Sequence, residues 1–288
     1  MKTNVSFMKS ILLIACIVLT ASTTLYSQYS PDDVAFSRLL FAPLIAHHVE
    51  ARMGATRFVN EERLQLDIGN AVDIWRTKPG ANSDHFAVGA ECFTWTALRK
   101  DADFHFPVDA VDYMFGVNAS WRRPLHGEHF VSARFRFSHI SAHLVDGAYD
   151  KEDGTWRDGQ LPRVYSREFL DIIAAYGLHE VFRIYAGFQY VYHIDPPTLG
   201  KLGAQAGMEI SWTDVFLHVL HAYVAYDLRT VDVDAVTAAH SLQIGMKVGA
   251  WQGTGVRLFI SVYHGKSIHG QYHEQTWSQW GPGFSIDF

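Results

Sequence analysis

Apolar and polar residues alternate with a period of two through most of the chain after about residue 45. In SLQIGMKVGA (241–250), VDYMFGVNASW (111–121) and FRIYAGFQYVY (182–192), every second residue is apolar and most of the others are polar, charged or glycine. Successive side chains of a β-strand point to opposite faces, so each segment predicts a strand with one apolar face and one polar face.

Three features distinguish a membrane-spanning barrel from a soluble β-sandwich, which would show the same alternation. The segments run for about ten residues or more, as tilted membrane strands do, whereas soluble strands are usually shorter. Charged residues recur at mid-strand on the polar face, where a barrel lumen can hold them. The chain ends in WGPGFSIDF, in which Phe284, Ile286 and Phe288 alternate, as in the C-terminal signal that the barrel-insertion machinery binds. The fold class that we predict is an all-β, transmembrane antiparallel β-barrel with a short N-terminal helix.

The alternation predicts about twelve strands, and an even number returns the C-terminus to the side of the N-terminus. The predicted strands lie near residues 45–58, 62–75, 85–98, 109–122, 129–144, 164–177, 180–193, 201–212, 215–228, 238–250, 254–266 and 277–288. GLHE, TD and WQGTG are predicted as short periplasmic turns, and 145–163, 229–237 and 266–276 as longer outer loops.

The N-terminus has the pattern of a secretory signal peptide, predicted over residues 1–27. Lys2 and Lys9 precede the apolar run ILLIACIVLTA, and small polar residues follow it. Cys16 lies inside this run, and we interpret it as part of the signal. Residues 28–44 are predicted as a periplasmic segment, with SPDDVAFSRLLFAPL as a short helix at the mouth of the barrel or plugging it; an amphipathic surface helix is the alternative. The barrel is predicted over 45–288, and the bacterial outer membrane is the predicted location.

Composition excludes several other classes of protein. The net charge is −6, and no cluster of lysine and arginine suggests a nucleic-acid partner. No later segment has the uninterrupted apolar run that a transmembrane helix needs. Once the signal is removed, Cys92 is the only cysteine, which excludes an intrachain disulfide and a cysteine-based metal site.

The segment RFRFSHISAHLVDG (134–147) carries the candidate chemistry. If Arg134 and Arg136 face the lumen, then His139, Ser141 and His143 face the lipid near the extracellular end of the strand. The next strand begins with YSREFLDII, and its outward set includes Glu168. These two strands should pair, which predicts Ser141, Glu168 and one of the two histidines as neighbours. A histidine base oriented by a carboxylate can activate a serine hydroxyl for nucleophilic attack.

Two resemblances add to this interpretation. SHISAHLVDG, VYSREFLDI, YAGFQYVYHIDPP and the end YHGKSIHGQYHEQ…GPGFSIDF together resemble an uncharacterised family of bacterial exported proteins, known only as a domain of unknown function. Locally, His-x-Ser followed by an acid or amide on the next strand is similar to the sites of outer-membrane phospholipase A and the lipid A deacylase barrels.

The second resemblance implies a serine esterase that acts on phospholipid or lipid A. Ser141 would be the nucleophile, His139 the base and Glu168 the orienting acid, with outer-membrane lipids as partners. The sequence departs from those enzymes at Ala142, where they have asparagine. The oxyanion donor is not identified, and a backbone N–H group or a bound ion could serve. No cofactor is predicted, although Ca²⁺ would be expected if the protein is phospholipase-like.

Other interpretations of these residues stay open. His139, Ser141 and His143 could simply lie in the polar membrane interface, or the two histidines could share a metal ion with a ligand not yet identified. In the outer loop YHGKSIHGQYHEQTW, His264, His269 and His273 could bind a metal or a glycan.

The polar face gives alternative functions. Its mixed charges could pair into a closed interior, or Arg134, Arg136 and Arg167 could make a narrow channel selective for anions. A barrel that serves only as an envelope scaffold is the third class. The residues predicted to face the lumen are Glu50, Arg52, Asp67, Glu91, Asp112, Arg134, Arg136, Arg167, Asp171, Arg183, Glu209, Lys247 and Arg257.

Overall fold

A computed structural model describes residues 39–77, 83–101, 103, 105–216, 219–233 and 235–288. The predicted signal peptide, and residues 28–38 with most of the predicted N-terminal helix, lie outside the described residues. No helix in these ranges is long and apolar enough to cross a membrane.

Strands dominate the described ranges, and twelve of them close into one antiparallel barrel. The barrel strands are β1 (Met53–Phe58), β2 (Arg63–Arg76), β3 (His85–Arg99), β4 (Val108–Pro124), β5 (His129–Leu144), β8 (Ser166–Leu178), β9 (Phe182–Asp195), β10 (Leu202–Phe216), β11 (Leu220–Asp232), β12 (Val236–Gly249), β13 (Gly255–Lys266) and β14 (Thr276–Asp287). A small hairpin, β6 (Tyr149–Asp150) and β7 (Thr155–Trp156), lies in the loop between β5 and β8. Four 3-10 turns complete the described elements: His126–Glu128, Asp146–Ala148, Arg157–Gly159 and Gly270–Tyr272.

Each barrel strand pairs with its neighbours in chain order, and β1 closes the barrel by pairing with β14. Along β5, Arg134 and Arg136 are buried inside the barrel whereas Phe135 and Phe137 are exposed on its outer wall. Exposed aromatic and aliphatic side chains recur on the other strands in the same way. Because the apolar face is outside and the polar face inside, the predicted transmembrane barrel is confirmed.

Several predicted boundaries are wrong. The first strand begins at Met53 rather than at residue 45, and the described end of the predicted N-terminal helix, residues 39–44, is not helical. TD is not a turn, because β10 continues through it to Phe216 with an irregular register. The predicted outer loop 229–237 is short, because β11 and β12 stay paired as far as Asp232 and Val236.

Residues 39–52, here called the lumen segment, lie inside the barrel. The Leu40 N–H donates to Asp73 at 2.8 Å, the Ile45 N–H donates to Glu209 at 2.8 Å, and Ser241 donates to the Ala46 carbonyl at 2.6 Å. The described residues 39–52 therefore lie in the lumen, whereas most of the segment predicted as a helix lies outside the described residues.

Ion pairs hold the lumen segment to the barrel wall. Glu50 accepts two hydrogen bonds from Arg134, at 2.5 and 2.9 Å. The Arg136 side chain is 2.6 Å from Asp171 and 3.5 Å from Glu91. Further pairs join Arg183 to Glu209 and Lys247 to Asp287. Many of the charges on the polar face are thus paired inside the barrel, and Arg134 and Arg136 are not free to form an anion-selective cluster.

Candidate active site

The outward face of β5 carries three of the four residues predicted for the site. His139 and Ser141 are half-buried and His143 is exposed. In the pairing of β5 with β8, His139 lies opposite Glu168, and Ser141 lies opposite Ser166. The site is near the end of the barrel that carries the long loops 145–165 and 267–275, here called the long-loop end.

His139 and Glu168 form the central contact of the site. The His139 Nδ1 atom is 2.6 Å from Glu168 Oε1. An ionised carboxylate only accepts hydrogen bonds, so Nδ1 carries the proton and Nε2 is left as an acceptor. The two side chains are 27% and 21% exposed, so they are sheltered but still reachable from outside. Phe115 packs against the His139 ring with centroids 4.9 Å apart and helps to fix its orientation.

Ser141 is two residues from His139 on the same face. Two residues of a strand span about 6.5 Å, so the serine hydroxyl lies on the same patch of the outer wall as the His139 ring. The Ser141 hydroxyl forms no hydrogen bond with the described residues, so no internal partner competes for it. Catalytic hydrogen bonds are often formed only when substrate is bound.

His143 is not part of this contact. Its ring packs edge-on against Tyr113, with centroids 6.0 Å apart, and it is hydrogen-bonded to none of the described residues. The structure therefore brings His139 and Glu168 together with Ser141 beside them, and leaves His143 at the margin.

The sequence did not identify His193, the second partner of Glu168. Its Nδ1 atom is 2.5 Å from Glu168 Oε2, so the carboxylate lies between two histidines on neighbouring strands. Strict alternation from the buried Val191 would place His193 inside the barrel. A bulge shifts the register, because Phe169 pairs with Val191 while Glu168 pairs with His193. Tyr192 and His193 are consequently both exposed on the outer wall, and a bulge of this kind gives little local sequence signal.

The predicted metal sites are not formed. No group of three or more histidine, cysteine, aspartate or glutamate residues that could hold a metal occurs within the described ranges. In the last loop, His269 is buried 2.7 Å from Asp112, and His273 is 2.7 Å from the Gly270 carbonyl. His264 instead points outward from β13, so these three histidines do not converge on one ligand.

Solved structures similar to this one include outer-membrane enzymes. Outer membrane phospholipase A from Escherichia coli is 13% identical, with 88% of this chain and 96% of that chain covered and a TM-score of 0.51. The outer membrane phospholipase dimer of Salmonella typhi with bound calcium is 12% identical, with coverages of 88% and 96% and a TM-score of 0.52. At these identities the similarity shows the fold alone.

LpxR from Salmonella typhimurium is 10% identical, with 78% of this chain and 88% of that chain covered, and its TM-score of 0.36 is too low to carry an argument. No curated protein matches the sequence significantly. Residues 11–288 match a family described as "Protein of unknown function (DUF1207)". The chain therefore belongs to this family, whose fold is a closed twelve-stranded barrel of the outer-membrane type.

Proposed function

We propose that the protein is a serine hydrolase that cleaves acyl esters of phospholipid or lipid A at the outer leaflet of the outer membrane. The observation that carries the proposal is the hydrogen bond from His139 Nδ1 to Glu168, beside Ser141, on the lipid-facing wall. The carboxylate fixes the histidine tautomer whose Nε2 atom can remove a proton from serine.

The reaction follows from these roles. The Ser141 oxygen attacks the ester carbonyl carbon while His139 Nε2 takes the hydroxyl proton. The tetrahedral intermediate then breaks its bond to the alcohol oxygen, which receives that proton from His139. Water, deprotonated by the same nitrogen, attacks the acyl-serine ester, and its hydrolysis releases the fatty acid and restores Ser141. Glu168 stabilises the imidazolium ion that forms in each half of the reaction.

The surroundings of the site favour a lipid substrate. Phe115, Phe137 and Tyr192 are each at least 40% exposed on the outer wall, and the Phe137 and Tyr192 rings stack with centroids 5.8 Å apart. A membrane lipid can lay its acyl chains on this apolar surface without leaving the bilayer. A water-soluble ester would reach the lumen more readily than this wall.

The group that stabilises the oxyanion is not supplied by the residue after the serine. The Ala142 N–H donates to the Tyr165 carbonyl at 3.1 Å, so it is not free to bind substrate. Calcium, which one similar structure contains, prefers several oxygen ligands. Ser166 pairs with Ser141 on the neighbouring strand, and Asp195 pairs with Ser166 on the strand beyond it. The described residues nevertheless form no cluster that could hold the ion. We therefore assign no step to calcium.

Fatty-acid release by the purified barrel tests the proposal. With phospholipid or lipopolysaccharide in mixed micelles, with and without Ca²⁺, we expect release to fall by about 1000-fold or more in Ser141→Ala. Ser278→Ala is the matched control, because Ser278 is also exposed on the outer wall and pairs with a histidine, His264. Neither Ser278 nor His264 is hydrogen-bonded to a carboxylate among the described residues. The Ser278→Ala variant should therefore release fatty acid as the parent does. Equal activity in Ser141→Ala and the parent, or no activity of the parent on either substrate, would contradict the proposal.

A further inference from the structure

A second feature that could bind a ligand lies inside the barrel, at the long-loop end. It is a cavity of about 70 Å³ that opens to solvent. His48 and Val49 of the lumen segment contribute to its lining, together with the ends of β8, β9 and β11 and the loop 267–275. It is on the opposite side of the barrel wall from Ser141, so it does not depend on the proposed hydrolase.

Two arginines that line this cavity have no acidic partner among the described residues. Arg134, Arg136 and Arg183 are all paired with acids, whereas Arg167 and Arg229 form no ion pair or hydrogen bond with the described residues. The Nε atom of Arg167 is buried and unsatisfied. Unpaired cations in a confined space are costly unless an anion accompanies them.

A buried histidine points to the same cavity. His48 is 8% exposed, and its Nε2 atom has no hydrogen-bond partner. Its ring is held edge-on against Tyr263, with centroids 5.0 Å apart. A buried polar atom that lines a cavity and has no protein partner can be satisfied by a bound ligand.

The acidic residues of the cavity form no ion pair or hydrogen bond with the two arginines. Three cationic and two acidic side chains line it: Arg167, Arg229, Lys266, Asp227 and Asp232. Asp227 already accepts hydrogen bonds from Tyr185 at 2.7 Å and from Gln205 at 2.6 Å. Asp232 pairs with none of the described residues. Neither arginine is therefore ion-paired with an acidic residue of the cavity.

We propose that this cavity binds a phosphate group through Arg167 and Arg229, with His48 as an additional partner. The planar guanidinium group presents paired donors that match the oxygens of a phosphate. Val191, Ile194 and Leu199 form an apolar wall that would accept a small organic group esterified to the phosphate. The phosphate could come from free phosphate or from a lipid headgroup.

Isothermal titration calorimetry of the detergent-purified barrel at low ionic strength tests this site. The probes are inorganic phosphate, glycerol 3-phosphate and dihexanoyl phosphatidic acid below its micelle concentration. We expect saturable binding of at least one probe, weakened at least about 10-fold in Arg167→Gln and in Arg229→Gln, because each variant removes one charge-assisted contact. Binding of the soluble probes identifies a soluble ligand, and binding of phosphatidic acid alone identifies a headgroup.

Arg163→Gln is the matched control, because Arg163 lies in the neighbouring loop, pairs with Glu274 and does not line the cavity. It should bind as the parent does. Each of the two test variants measures the contribution of one arginine, so the site can still be tested with one variant if the other fails to fold. Absence of binding by all three probes, or unchanged binding in the folded variants, would overturn the assignment.

Discussion

At the scale of single residues, the site depends on how Glu168 is shared. His139 and His193 each place an Nδ1 atom against one of its two oxygens, and Ser166 is within 3.5 Å of Oε1. The carboxylate is thereby held in one orientation, which in turn holds His139 with Nε2 free. His193 acts only through Glu168 and is a positioning residue.

Substitutions of Glu168 should separate its orienting role from its charge. Glu168→Ala removes the acceptor, and we expect kcat for fatty-acid release to fall about 100-fold or more. Glu168→Gln keeps an oxygen that can accept from His139 Nδ1, so its loss should be smaller. Equal loss in the two variants would show that charge, rather than orientation, is what the residue supplies.

His193→Ala should change kcat far less than His139→Ala in the same assay. His193 does not face Ser141, and Glu168 keeps its bond to His139 without it, so we expect an effect within about 3-fold. A loss as large as that of His139→Ala would assign the base to His193 instead.

At the scale of elements, the alternation of the sequence predicted most of the barrel. The predicted proximity of Ser141, Glu168 and one of the two histidines followed from two adjacent strands with clear inward and outward sets, and in the register His139 is the histidine opposite Glu168. The sequence did not reveal His193, because a bulge in β9 inverts the alternation there. The predicted first strand included residues 45–52 because their pattern resembles a strand. Glu50 instead pairs with Arg134 across the lumen, a long-range contact that local periodicity cannot encode.

The lumen segment should contribute to the stability of the barrel through Glu50. Glu50→Ala leaves Arg134 buried without its main partner, and we expect the free energy of unfolding to fall by about 3–5 kcal/mol. Urea unfolding followed by heat-modifiable migration in gels measures this change. Glu61→Ala, in the exposed turn between β1 and β2, is the control and should leave the midpoint unchanged. An unchanged midpoint in Glu50→Ala would mean that the pair does not stabilise the fold.

At the scale of the whole molecule, the lumen segment occupies part of the barrel interior, and the candidate site lies on the outer wall. The lumen segment and its ion pairs occupy the space in which a channel would run. The histidine, serine and glutamate of the candidate site are instead on the outer wall. This division favours chemistry on membrane lipids over transport.

Planar bilayer recordings test whether the lumen conducts ions. We expect the barrel to show no steady single-channel conductance, because the paired charges leave no continuous aqueous path. Stable, anion-selective steps would revive the channel hypothesis and would require the lumen segment to move.

The most direct test of the central claim is covalent labelling of the nucleophile by a long-chain alkylsulfonyl fluoride. Attack by an activated serine oxygen forms a sulfonate ester and releases fluoride with the hydroxyl proton. Mass spectrometry of the digested barrel should locate the adduct on Ser141, and the adduct should be lost in His139→Ala but kept in Ser278→Ala. An adduct on another serine, or none on the folded parent protein, would contradict the assignment of Ser141 as the nucleophile.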